Sequence, residues 1–237
     1  MIARMAFRSR KHPERQHSLQ FPSWGGPREG SGRKRLPKGR RSVPHRARAP
    51  LASRFPVHCS LKLVGGLPSL RRGNEKKALI SAFAAGSERN GFRLVHYSIQ
   101  SNHLHLIVEA SNRTVLARGM QGLAIRIARA LNRSWGRKGK VFRDRYHSRI
   151  LKTPRDVRNT LVYVLKNARR HGIRLRTEID PYSSGRWFDG WVRQPGLGRG
   201  VKDKPVADAR SWLLSCGWRE KHPLIGSRDR PVGEPPG

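Results

Sequence analysis

The run "FRLVHYSIQSNHLHLIVEA", residues 92–110, constrains the fold more than any other stretch of the chain. Two apolar segments, Phe92 to Ile99 and His103 to Val108, flank Gln100, Ser101 and Asn102, which reads as a β-hairpin. Side chains alternate faces along a strand. His103, His105, Ile107 and Glu109 therefore share one face, and Leu104, Leu106 and Val108 share the other. The second face can pack on helices while the first presents two imidazoles side by side.

The flanking segments supply those helices. "PVHCSLKLV" alternates Val57, Cys59, Leu61 and Leu63 with His58, Ser60 and Lys62, a strand pattern. A helix follows with Leu79, Ile80, Phe83 and Ala84 at helical spacing and Gly91 placed to stop it. After the hairpin, a helix from about Thr114 to Arg133 buries Leu116, Met120, Leu123, Ile127 and Leu131, with Arg118, Arg126, Arg129 and Arg133 largely off that stripe. The loop "WGRKGK", carrying Lys138 and Lys140, leads to a strand within "VFRDRYHSRIL". "TPRDVRNTLVYVLKNARRHG" is a helix with Thr153 as cap, Pro154 in the first turn, Asp156 completing a capping box and Gly172 at its end. The order strand, helix, strand, strand, helix, strand, helix predicts an α+β fold, a ferredoxin-like antiparallel sheet with helices packed on one face.

Charge narrows the partner. Lys and Arg number 51 against 15 acids, a formal net charge of +36, and phosphate backbones are the usual counterpart of such an excess. No run of about 18 apolar residues spans a membrane, and no signal-peptide core follows Met1, so a cytoplasmic, nucleoid-associated protein is expected. Cys59 and Cys216 exclude a disulfide framework or a four-cysteine zinc site. Residues 1–50 carry 14 Lys/Arg and 2 acids and read as a disordered basic arm. Residues 51–192 read as the domain, and 193–237 as a C-terminal extension with one short helix in "ADARSWLLSCGW".

The last helix raises the chemical question. Val157, Leu161, Val164, Leu165 and Ala168 form its apolar stripe, whereas Tyr163 and Asn167, four residues apart, fall nearly opposite, with Arg170 on their side. A tyrosine held off the core beside an amide is either an amphipathic surface residue or a working group. Two histidines and an amide oxygen could supply three ligands to a divalent cation and leave positions for phosphate oxygens. The tyrosine oxygen would then stand one helical turn away as a nucleophile.

These motifs resemble those of the single-tyrosine HUH transposases. "HYSIQSNHLHLIVEA" is similar to the His–hydrophobic–His segment, and "LVYVLKNARRHG" to the nucleophile helix, in which an Asn or Gln follows the tyrosine by four residues. The branch it most resembles is the REP-associated tyrosine transposases, and "DPYSSGRWFDGW" is similar to a segment that often follows there. The resemblance implies an HUH endonuclease fold over about Arg54 to Trp191. It implies Tyr163 as nucleophile, His103, His105 and Asn167 as ligands of Mg²⁺ or Mn²⁺, and a 5′-phosphotyrosine intermediate on single-stranded DNA bearing a REP-like hairpin. Relatives work as homodimers or as monomers. Arg118, Arg126, Arg129, Arg133, Lys138, Lys140 and Arg170 are the expected nucleic-acid contacts.

Two other readings fit parts of the pattern. One is a domesticated, non-catalytic hairpin DNA- or RNA-binding protein, and the other a zinc-stabilised module on His103 and His105. Tyr146 is a rival nucleophile, but its neighbour His147 faces the other way in a strand, which makes Tyr146 structural or DNA-contacting. His96 and Tyr97 read as sheet residues, and His58 as part of an ordinary polar face with Ser60 and Lys62. Trp135, Trp187 and Trp191 are either base-stacking platforms or buried.

Overall fold

In the computed structural model the strands expected from the alternating runs pair into one antiparallel sheet. The structure describes residues 49–170, 177, 179–193, 204–226 and 229–231, so most of the expected basic arm, together with Gly172, lies outside the described residues. Residues Ala47–Gly237 form one compact unit. Its elements are β1 (Val57–Lys62), α1 (Gly73–Ala84), β2 (Glu88–Arg89), β3 (Phe92–Ile99), β4 (His103–Ala110), α2 (Arg113–Ser134), β5 (His147–Ile150), α3 (Pro154–Leu165) and α4 (Asn167–Arg170). A π-helical turn, Leu213–Gly217, runs into α5 (Trp218–Lys221). The sheet order is β2-β3-β4-β1-β5.

Gly91 does not end α1. The helix stops at Ala84, and Asn90 and Gly91, both at positive φ (43° and 82°), turn the chain between β2 and β3. An Asn-Gly pair is the strongest short hairpin signal because both residues tolerate that conformation. On α2, the Asn112 side chain accepts from the Val115 backbone amide, and on α3 Thr153 accepts from Asp156, so both N-termini are capped by the residue types that do this best.

The sheet has a helical layer on each side. Val57, Cys59, Leu61, Leu104, Leu106 and Val108 pack against the Leu79–Phe83 surface of α1 and the Leu116–Leu131 stripe of α2. The other side, where Ile107 points, is covered by α3 and by residues between Ala209 and Ile225. Leu213, Leu214, Trp218 and Ile225 pack on that helix, so it is apolar on nearly every side: Val157, Leu161, Val162, Tyr163, Val164 and Leu165 are all buried. The expectation that helices sit on one face follows from β4 alone, whose histidine face reads as open. The extra cover comes from a segment with little periodicity.

Two buried carboxylates fasten the late segments to the sheet. Glu109 on β4 is 1% exposed and accepts from Arg93 Nε (3.0 Å), from the backbone amides of Arg210 and Ser211, and from Ser211 Oγ (2.7 Å). Asp180 takes both guanidinium nitrogens of Arg71 (2.8 and 2.9 Å) and the amide of Tyr182. Ser183 then bridges to Ser98 and the Ile99 amide donates to Tyr182 O, which closes the part of the β3 edge that β2 leaves open.

Candidate active site

The register lays out the α3-side face of the sheet in rows. Lys62 pairs with His103, Ser60 lies between His105 and His147, and His58 lies between Ile107 and Arg149. On β3, Ser98 is opposite His105 and His96 opposite Ile107, after a β-bulge between Leu94 and His96. A face this rich in imidazole and hydroxyl groups is a poor packing surface, and α3 brings a polar group of its own to it.

That group is Tyr163. Its hydroxyl lies 3.3 Å from Nε2 of His105, and the two rings meet edge-on with centroids 5.0 Å apart. Nε2 of His103 lies 3.0 Å from the same atom of His105. Both Nδ1 atoms are engaged on the far side: that of His103 lies 2.8 Å from Asn102 Oδ1, and that of His105 lies 3.2 Å from Nε2 of His58. With Nδ1 engaged, each ring turns Nε2 toward one point, the usual arrangement of a pair of metal-ligating histidines. His105 is 2% exposed and Tyr163 5%, whereas His103 is half-buried, so the pair opens to solvent on the His103 side.

Tyr163 is thus buried, not held off the core. The helical-wheel placement is right, but the surface opposite the stripe is filled by the sheet's histidine face instead of solvent. Asn167 follows a break in the helix: α3 ends at Leu165, and Lys166 turns (φ −111°, ψ 12°) before α4 begins at Asn167. Lys166 Nζ donates to the carbonyls of Gly226 and Asp229, and Arg158 donates to Pro223 O and pairs with Asp229, so Pro223, Gly226 and Asp229 hold α3 at Arg158 and just past its C-terminal end. The Asn167 amide is 0% exposed, and neither Oδ1 nor Nδ2 has a hydrogen-bond partner. A buried orphan amide costs about 1–3 kcal/mol and calls for an explanation.

Among the described residues, no three His, Cys, Asp or Glu side chains gather into a metal cage. Two imidazoles and an amide are nonetheless donor types that suit a divalent cation. The converging Nε2 atoms and the unpaired Asn167 amide are the observations that support this.

The remaining candidates fall elsewhere. Arg118, Arg129 and Arg133 are exposed and Arg126 half-buried on α2, the layer on the opposite side of the sheet from the histidines. Arg118 and Arg126 line a notch of about 280 Å³ with Arg89. Among the described residues none of the four forms an ion pair. Lys138 and Lys140 are exposed in the loop after α2, Lys140 on the rim of an apolar groove with Ile125. Arg170 closes α4, and its side chain lies outside the described residues. Tyr146 is buried in the α1–α2 layer while His147 is exposed, which places them on opposite sides. Trp191 is buried with Nε1 on Gly185 O, and Trp135 donates to Glu75.

His58 is more than part of an ordinary polar face. It stacks on His105 with ring centroids 5.2 Å apart and meets Tyr163 edge-on at 5.8 Å. Burial, with Arg149 and His147 adding repulsion, pushes its pKa down to about 4, and burial pushes His96 down to about 3. Both rings are neutral in the folded protein at pH values where an unfolded histidine, near 6.5, takes a proton. The unfolded state therefore binds more protons as pH falls below about 6.5, and stability drops from there toward pH 4 and 3. Thermal unfolding followed from pH 7 to 4 is expected to show this fall, and His96→Gln to make it shallower. A curve of unchanged steepness in that variant would contradict the assignment of His96.

Residues 69–167 match the family model described as "Transposase IS200 like". The matched range runs from the turn before α1 to Asn167 and so contains His103, His105 and Tyr163. The fold is similar to a solved structure of a REP-associated tyrosine transposase bound to a REP hairpin, with a TM-score of 0.50 and 13% identity over 60% of this chain and 82% of that one. No curated protein matches the sequence. Among the described residues, no helix is long and apolar enough to cross a membrane.

Proposed function

We propose that this chain, whose residues 69–167 match the model described as "Transposase IS200 like", is an enzyme that cleaves and rejoins single-stranded DNA beside a hairpin through a phosphotyrosine. The observation that carries the reading is the meeting, in one chain, of Tyr163 with His105 at 3.3 Å and of His105 with His103 at 3.0 Å. No second copy is needed to complete that contact. The structural neighbour's REP hairpin supports a DNA hairpin as the partner here.

His103, His105 and Asn167 would hold Mg²⁺ or Mn²⁺. The bound ion would supply Lewis-acid polarisation of the scissile phosphate. The protein's own part is positional. Tyr163 Oη forms the bond to phosphorus, the bond to the 3′ oxygen breaks, the phenolic proton is given up and the departing 3′ oxygen gains one. The product is a 5′-phosphotyrosine and a free 3′-OH, which conserves the phosphodiester bond energy for rejoining. Burial of Tyr163 between α3 and the sheet limits its rotamers, so its oxygen is presented in one direction. The exposed arginines of α2 and Lys138 and Lys140 would bind further phosphates, and their position across the sheet suits a part of the DNA other than the scissile strand.

Chelation separates this from a structural metal site. Removing the divalent ion is expected to abolish cleavage of a hairpin oligonucleotide from the protein's genomic flanks while shifting the unfolding temperature little. His105→Ala should lose cleavage in the same way. Melting of the domain on chelation would instead support a structural zinc module.

A further inference from the structure

His58 lies on β1, outside the matched range 69–167, and nothing in the proposed chemistry so far uses it. Its pairing partner on β4 is Ile107, yet its ring reaches along the strand to His105 and stacks on it at an interplanar angle of 28°. Nε2 of His58 lies 3.2 Å from Nδ1 of His105. A hydrogen bond there needs one proton between the two nitrogens. On its other side His105 meets the Tyr163 hydroxyl through Nε2 at 3.3 Å. Nε2 of His103 lies 3.0 Å from that same atom, so Nε2 of His105 faces the open site, and a neutral imidazole with a lone pair on Nε2 holds its proton on Nδ1. If His105 is a metal ligand, its Nε2 keeps the lone pair for the ion, its proton sits on Nδ1, and His58 accepts it.

We propose that His58 is a positioning residue: by accepting the Nδ1 proton of His105, it fixes the tautomer and ring orientation that aim the Nε2 lone pair into the site. This rests on the reading of His105 as a metal ligand. The residue behind a ligating histidine is commonly a carboxylate or a backbone carbonyl. Here it is an imidazole, buried with 7% exposure and flanked on β5 by Arg149. The choice suits a polyanionic substrate. A carboxylate one ring behind the site would repel the approaching phosphate, and a neutral ring orients the ligand without that repulsion.

Two measurements on the full chain test it. The first is long-range ¹⁵N–¹H correlation on histidine-labelled protein without DNA or metal, which reads the tautomer directly. His105 protonated on Nδ1 is expected, and His105 protonated on Nε2 would overturn the proposal. The second is Mn²⁺ binding, followed by electron paramagnetic resonance without DNA. His58→Phe keeps a stacked ring but offers no acceptor, and should weaken Mn²⁺ about 10–100-fold. His58→Gln, whose amide oxygen extends about as far as Nε2, should restore binding to within a few-fold of wild type. Wild-type affinity in His58→Phe, or no recovery in His58→Gln, would also overturn it. If His58→Phe does not fold, the tautomer and the Gln variant decide. Mn²⁺ binding that survives His105→Ala would instead sink the metal reading itself, a result that does not depend on His58.

Discussion

Tyr163→Phe is expected to abolish covalent attachment of DNA to the protein while leaving hairpin binding and the fold in place. The substitution removes one oxygen from a ring that is 5% exposed and packed against the His105 ring. The hydroxyl's 3.3 Å hydrogen bond to His105 is lost, worth about 1 kcal/mol of stability. Chemistry responds differently, because a nucleophile has no partial substitute. The phenylalanine has no atom that can bond to phosphorus, so adduct and strand cleavage should fall below detection. Equal affinity for a hairpin oligonucleotide in the two proteins, with cleavage only in the wild type, is the expected pair of results. Cleavage that persists would move the nucleophile elsewhere. Tyr146 would be a poor replacement, since it is buried on the α1–α2 side of the sheet.

The second large effect is on stability and comes from far along the chain. Trp218 is fully buried against α3, stacks on Phe188 at 5.9 Å and occupies the space beside Gly190, where a Cβ would stand 2.6 Å from its ring. Trp218→Ala should cost about 3–5 kcal/mol and lower the unfolding temperature by roughly 10 °C. Activity at a temperature where the variant is still folded should fall as well. The same residues that bury Trp218 hold the helix that aims Tyr163, and a misplacement of about 1 Å can cost ~100-fold in rate. An unchanged unfolding temperature would mean that residues 204–226 merely lie on the domain instead of completing its core.

The parts of this architecture that were legible in the sequence are those written in local periodicity. Alternation alone puts His103 and His105 on one face of β4 and Leu104, Leu106 and Val108 on the other, and the packing follows that division. The stripe of α2 and the cap at Thr153 are local in the same sense. What was not legible depends on contacts between segments far apart. The Tyr163–His105 contact joins residues 58 positions apart, and no spacing rule within either segment encodes it. The cover over α3 is built by a π-helical turn and a four-residue helix, too short to carry a periodic signal. His58 was visible but discounted because Ser60 and Lys62 are ordinary surface types. The signal available was parity: His58, Ser60 and Lys62 share the face that pairs with His103 and His105 once β1 lies beside β4. Gly91 shows the opposite error, a residue read with the helix before it when its partner Asn90 marks a hairpin.

The most direct test of the account is the chemical identity of a trapped complex. The wild-type protein would be incubated with Mn²⁺ and a single-stranded oligonucleotide carrying a hairpin from its own genomic flanks, denatured, and digested for peptide mass spectrometry. The account predicts a metal-dependent nucleotide adduct on the peptide containing Tyr163, attached through a 5′ phosphate and missing when His105 is replaced by Ala. Tight hairpin binding with no adduct on any residue would contradict it, and would identify a protein that keeps the site's fold for recognition alone.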